Sequence, residues 1–132
     1  MKRRLDALAR IGKLQKQLHD LATWRLAQIG RRRDGLVEDE RAMWQATGQG
    51  LSAYGAPAEA AIGRIRQIEA EVAAAEAAYA AQSRQAFAQG ARAKLVERAH
   101  DGLEAKYRDQ KQRKELAELI EASLGKPPAS SA

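Results

Sequence analysis

The chain has no cysteine, only three prolines and only six aromatic residues in 132. Without cysteine there are no disulfides, thiolate zinc sites or cysteine nucleophiles, and the redox compartment stays open. No apolar run approaches the roughly 18 residues that a membrane span needs. The basic start, Met1-Lys2-Arg3-Arg4-Leu5-Asp6, is followed by no apolar signal core, so a cytoplasmic location is expected. Strands are not expected either, because β-branched residues never alternate with polar ones. Neither phosphate-binding glycine pattern occurs. The two histidines, His19 and His100, stand with no Ser and Asp in a catalytic arrangement. Glu97-x-x-His100 has the spacing of half a di-iron site, but that chemistry needs a second copy and two more carboxylates on facing helices. It reads as a solvated helix face. Glu38, Asp39 and Glu40 are adjacent, and adjacent helical positions point in different directions. The expectation is a non-enzyme with no metal and no cofactor.

What the chain does have is helix-forming material. Charged residues make up 30%, and Ala, Glu, Lys, Leu, Arg and Gln recur with helical period, as in long helices or a coiled coil. One stretch interrupts them: Gly48-Gln49-Gly50-Leu51-Ser52-Ala53-Tyr54-Gly55-Ala56-Pro57 holds three glycines and a proline. Glycine loses more backbone freedom in a helix than other residues, and proline cannot donate the helical hydrogen bond. Pro57 suits the first position of a new helix, with Glu59 at the positive end of its dipole. A second stop comes at Gly125, followed by Pro127-Pro128. The expected fold is therefore all-α: two long helices in an antiparallel coiled-coil hairpin, the second longer. Its first arm is 3–47, its bend 48–56 and its second arm 57–124, forming one hairpin over 1–125, with 126–132 as a disordered tail.

Along the first arm, Leu5, Leu8, Ile11, Leu14, Leu18 and Leu21 form one stripe. It continues through Ala22, Leu26 and Ile29, where two four-residue steps in succession predict a stutter. Gly12, Gly30 and Gly35 each cost about 1 kcal/mol against Ala. Fraying or bending is expected between Gly30 and Gly35. The second arm shows Ile62, Ile65, Ile68, Val72 and Tyr79, then an alanine-rich run, then Leu95, Val96, Ala99, Leu103 and Tyr107. Folding at Ser52 pairs residue i with roughly residue 105 − i, to within a helical turn. That register sets Leu18 opposite Phe87, Leu26 opposite Tyr79, Leu36 near Ile68 and Met43 opposite Ile62, with Trp24 and Trp44 packed inside the pair.

The arms differ in length, about 45 against about 68 residues, so the stripe Leu116, Leu119, Ile120, Leu124 has no partner in the hairpin. It reads either as a docking surface or as a segment that folds back or frays. Charge is uneven as well. Residues 1–33 carry ten Lys/Arg against two acids, 34–56 one against four, 92–114 eight against four, and 115–124 three Glu and no base. A hairpin gathers both basic blocks at its open end. Runs such as Lys2-Arg3-Arg4 and Arg31-Arg32-Arg33 are either solvated faces or phosphate contacts. Met43, Trp44 and Tyr54, near the bend, are candidates for a contact patch.

The opening Met1-Lys2-Arg3-Arg4-Leu5-Asp6-Ala7-Leu8-Ala9-Arg10-Ile11-Gly12-Lys13-Leu14-Gln15-Lys16 and the closing Tyr107-Arg108-Asp109-Gln110-Lys111-Gln112-Arg113-Lys114-Glu115-Leu116-Ala117-Glu118-Leu119 frame this hairpin. The pattern resembles the FliJ/YscO family of flagellar and type III secretion export components, by periodicity, length and charge placement rather than by a sharp motif. The glycines of the first arm and the alanines of the second depart from it. The resemblance implies a stalk whose open end enters a hexameric export ATPase and links it to the membrane export gate, with export chaperones as possible partners. It implies a cytoplasmic protein, peripheral to the inner membrane through those partners. By position, Arg3, Arg4, Arg10, Lys13, Lys106, Arg108, Lys111, Arg113 and Lys114 would meet the ATPase, and Met43, Trp44 and Tyr54 the gate. Two alternatives stand beside it: a basic coiled coil that binds nucleic acid, and a structural module that oligomerises through residues 116–124.

Overall fold

The computed structural model describes residues 1–48 and 58–125. They form two α-helices, α1 (Lys2–Gly48, 47 residues) and α2 (Ala58–Gly125, 68 residues). The two pack against each other as an all-α helical hairpin with the second helix longer. The helix bounds fall within a residue of those expected from the breakers. The bend expected at 48–56 lies outside the described residues except for Gly48, which closes α1, and so do Tyr54, Pro57 and 126–132. The chain divides into two compact units: unit 1 joins Met1–Gln15 to Arg92–Ala132, and unit 2 is Lys16–Ala91.

The first helical hydrogen bond of α1 runs from Leu5 N to the Met1 carbonyl at 3.1 Å. No acid stands in its first turn, which instead holds Lys2, Arg3 and Arg4 against the positive end of the dipole. By contrast α2 begins with Glu59, a favourable charge there.

Burial along both helices follows a strict seven-residue repeat. In α1 it runs through Leu5, Leu8, Gly12, Gln15, His19, Ala22, Leu26, Ile29, Arg33, Leu36, Glu40 and Met43, all buried or half-buried, in alternating steps of three and four. In α2 it runs through Ala61, Ile65, Ile68, Val72, Ala75, Tyr79, Gln82, Ala86, Gln89, Ala93, Val96, His100, Leu103 and Tyr107. This is the pattern of coiled-coil knobs and holes. The expected stutter is absent, because His19 and not Leu18 precedes Ala22 in the seam. The seam is thin: among the described residues the buried apolar ones are Leu5, Ala22, Ala61, Ile65, Ile68, Val72 and Ala86, three of them alanines. Each buried Leu, Ile or Val contributes about 1.5–3 kcal/mol, and alanine much less.

Within unit 2, two glycines make room for rings. A Cβ on Gly30 would lie 3.3 Å from the Tyr79 ring, and one on Gly90 would lie 3.1 Å from His19 Cε1. The Arg33 guanidinium stacks over the Tyr79 ring at 4.2 Å, an interaction of about 0.5–1 kcal/mol when partly exposed. Gln82 Nε2 donates to the Ala22 carbonyl at 3.0 Å. Within unit 1, Gly12 faces Val96, whose Cγ1 would be 3.5 Å from an added Cβ.

These contacts correct several expectations. The helix does not fray between Gly30 and Gly35; α1 is continuous there, and Gly30 serves the close approach of Tyr79. Tyr79 meets Gly30, four residues along from Leu26 and so within the one helical turn allowed for that register. Phe87 is 81% exposed and Leu18 is exposed, so they do not form a layer; Gly90 faces His19 instead. Ile62 is 50% exposed and stands beside the seam, whose buried position is Ala61. Leu36 and Ile68 both lie on the seam. Trp24 and Trp44, expected inside the pair, are 58% and 52% exposed. The physical reason is the same throughout. Large apolar groups at Ile11, Leu14, Leu18 and Leu21 draw the eye to a stripe one position off the true repeat, which small and polar residues occupy.

Candidate interaction surface

The displaced stripe marks the surface of interest. From Leu8 onward the seam follows Gly12 and Gln15, while Arg4, Ala7, Ile11 and Leu14 run beside it in steps of three, four and three on a neighbouring face of α1. On α2, Leu95, Ala99, Gly102 and Lys106 keep an equivalent spacing beside Val96 and Leu103. In unit 1 these flanks meet along a groove of about 530 Å³. It is lined by Arg4, Ala7, Leu8, Ile11, Arg98, Ala99, Gly102, Leu103 and Lys106. Ala7, Ala99 and Gly102 are its small lining residues, and nothing stands within 4 Å of where a Gly102 Cβ would be. Three cations and no acid line it.

Charge is divided between the units without remainder. Unit 1 holds fourteen Lys/Arg against eight Asp/Glu, so the whole net charge of +6 resides there, and unit 2 holds nine of each. All nine residues expected to meet an ATPase belong to unit 1 and all are exposed. Arg4 and Lys106 share the groove. Arg3, Arg10 and Lys13 stand on α1, off the seam. Arg108 pairs with Glu104, and Arg113 Nε lies 3.2 Å from Asp109 Oδ2. Such four-residue pairs support a helix by about 0.2–0.5 kcal/mol each. They do so where α2 has left the seam behind, for every residue from Arg108 to Gly125 is exposed. Leu116, Leu119, Ile120 and Leu124 lie in that segment, all exposed.

Of the residues expected at a gate, Met43 is half-buried in the seam and Trp44 points outward; Tyr54 lies outside the described residues. His100 occupies the seam, its Nδ1 3.3 Å from Asp101 Oδ1 and 3.7 Å from Glu104 Oε2. With Glu104 these two make a group of metal-ligand type, whereas Glu97 is not a member. The pairing of Glu104 with Arg108 accounts for part of that cluster without an ion. Among the described residues, no helix is long and apolar enough to cross a membrane.

Arg98, Ala99 and Gly102 were not singled out by sequence reasoning as site residues. Counting a strict seven-residue repeat from Leu5 and Leu8 would have exposed the Ile11–Leu14 flank, but nothing local marks Gly102 as groove lining. No protein-family model matches the chain, nor does any curated protein or solved structure.

Proposed function

We propose that the chain is a non-enzymatic stalk and adaptor of a flagellar or type III protein export apparatus. In this role it binds the hexameric export ATPase through unit 1 and couples it to the membrane export gate. The observation that carries the reading is the confinement of the entire charge surplus to the unit that contains both the first residues of α1 and the unpaired end of α2. Lys2, Arg3 and Arg4 oppose the dipole of the helix they begin, so helix stability does not favour their placement. Local conflicts of this kind belong to functional surfaces. Steering would come from these charges, and anchoring from the exposed apolar groups. Trp44 is the better placed of the described gate candidates, since Met43 is engaged in the seam.

The test is reconstitution with the cognate export ATPase. Addition of the protein should raise hydrolysis and hexamer formation, and Lys111→Glu with Arg113→Glu and Lys114→Glu should weaken both. An ATPase unaffected by the wild-type chain would refute the role. The same basic surplus also suits phosphate contacts. That second reading requires nucleic-acid binding that falls steeply with salt, and an absence of binding at about 50 mM salt ends it.

A further inference from the structure

Unit 1 carries two features that fit one another. The groove between α1 and α2 is lined by the seam residues Leu8 and Leu103, the small residues Ala7, Ala99 and Gly102, and the cations Arg4, Arg98 and Lys106. The end of α2, from Glu115 to Leu124, is an amphipathic helix of the opposite sign. Leu116, Leu119, Ile120 and Leu124 share one exposed face of it. Glu115 and Glu121 border that face and Glu118 stands behind it, with no base among the ten residues.

We propose that residues 115–124 of one copy dock in the groove of a second copy. Four observations support a second copy as the occupant. First, α2 is continuous to Gly125. Ile120 thus lies seventeen residues past Leu103, about 25 Å along the helix axis, so a chain's own tail is carried away from its own groove. Second, the lengths agree: the ten tail residues span about 15 Å, against about 11 Å from Arg4 to Ile11. Third, the charges are complementary: three cations line the groove, and Glu115 and Glu121 border the tail's apolar face, with no base among its ten residues. Fourth, one charge of each set sits badly at home: Arg4 stands in the first turn of α1 and Glu121 one turn from the end of α2, each against its own helix dipole. Mutual docking, each tail in the other's groove, is a closed two-fold arrangement that uses both surfaces twice.

The experiment is sedimentation of the full-length chain over a concentration series, with circular dichroism to check helicity. The wild type should form a dimer that weakens as salt rises from about 0.1 M to about 1 M. A tail variant (Glu115→Lys, Glu118→Lys, Glu121→Lys) and a groove variant (Arg4→Glu, Arg98→Glu, Lys106→Glu) should each be monomeric. Mixed together they should pair, because each tail then meets a groove of opposite sign. Gly102→Leu, which narrows the groove without changing charge, should also abolish the dimer. A wild type that stays monomeric at its highest soluble concentration overturns the proposal. So does a dimer that survives in the groove variant or in Gly102→Leu, or a mixture that fails to pair. Stimulation of an export ATPase is a separate readout, and either result can fail alone.

Discussion

Substituting Gly90 by alanine sets two effects against each other that the structure separates. In an exposed helix interior the change should stabilise by about 1 kcal/mol, because alanine loses less backbone freedom on folding. Gly35 provides that reference, with nothing within 4 Å of an added Cβ. At Gly90 the same methyl group would meet three His19 ring atoms, at 3.1, 3.4 and 3.4 Å. The ring is half-buried in the seam, so it must shift or push the helices apart. Overpacking of this kind costs about 1–3 kcal/mol. Gly35→Ala should therefore raise the melting temperature by about 4 °C, at about 4 °C per kcal/mol for a chain of this size. Gly90→Ala should leave it unchanged or lower it. Thermal and urea unfolding followed by far-ultraviolet circular dichroism would measure both. The cycle closes with His19→Ala, which should restore most of the gain in the Gly90→Ala background. If Gly90→Ala stabilised as much as Gly35→Ala, the close approach of helix and ring would be refuted.

Leu5→Ala should cost about 2–5 kcal/mol, since Leu5 is buried in the seam, whereas Leu14→Ala should be nearly neutral despite its similar sequence context. Comparable losses at both positions in urea unfolding would mean that the seam follows the Leu5–Ile11–Leu14 stripe after all. Trp24 and Trp44 should emit as solvated indoles and be quenched freely by iodide in the native protein. A blue-shifted, protected native spectrum would contradict their outward orientation.

The hairpin was legible because its signals are local. Glycine and proline between Gly48 and Pro57, and Gly125 ahead of Pro127, leave the backbone few choices. The unequal arms followed from counting. The inner face was harder to read, because the bulkiest residues do not lie on it. Between Leu8 and Leu26 the seam is Gly12, Gln15, His19 and Ala22, and Ile11, Leu14, Leu18 and Leu21 advertise a neighbouring face more loudly. A search for large apolar residues selects the wrong set there. In α2 the aliphatic seam residues Ile65, Ile68 and Val72 were found directly, while Ile62 and Phe87 misled in the same way. The groove could not be read at all from one helix, because its lining is shared between two segments far apart in sequence. The basic residues that line it were legible as a charge block, but not as neighbours of Gly102.

One consequence of the glycine–ring pairs concerns sliding. Alanines and glutamines fill much of the seam in α2, and such positions look alike after a shift of one heptad, about 10 Å. A smooth track of that kind resists axial displacement poorly. What locks the two helices in place are the few teeth that have only one matching notch, Tyr79 on Gly30 and His19 on Gly90. Sliding one helix past the other would require lifting those two rings out of their notches.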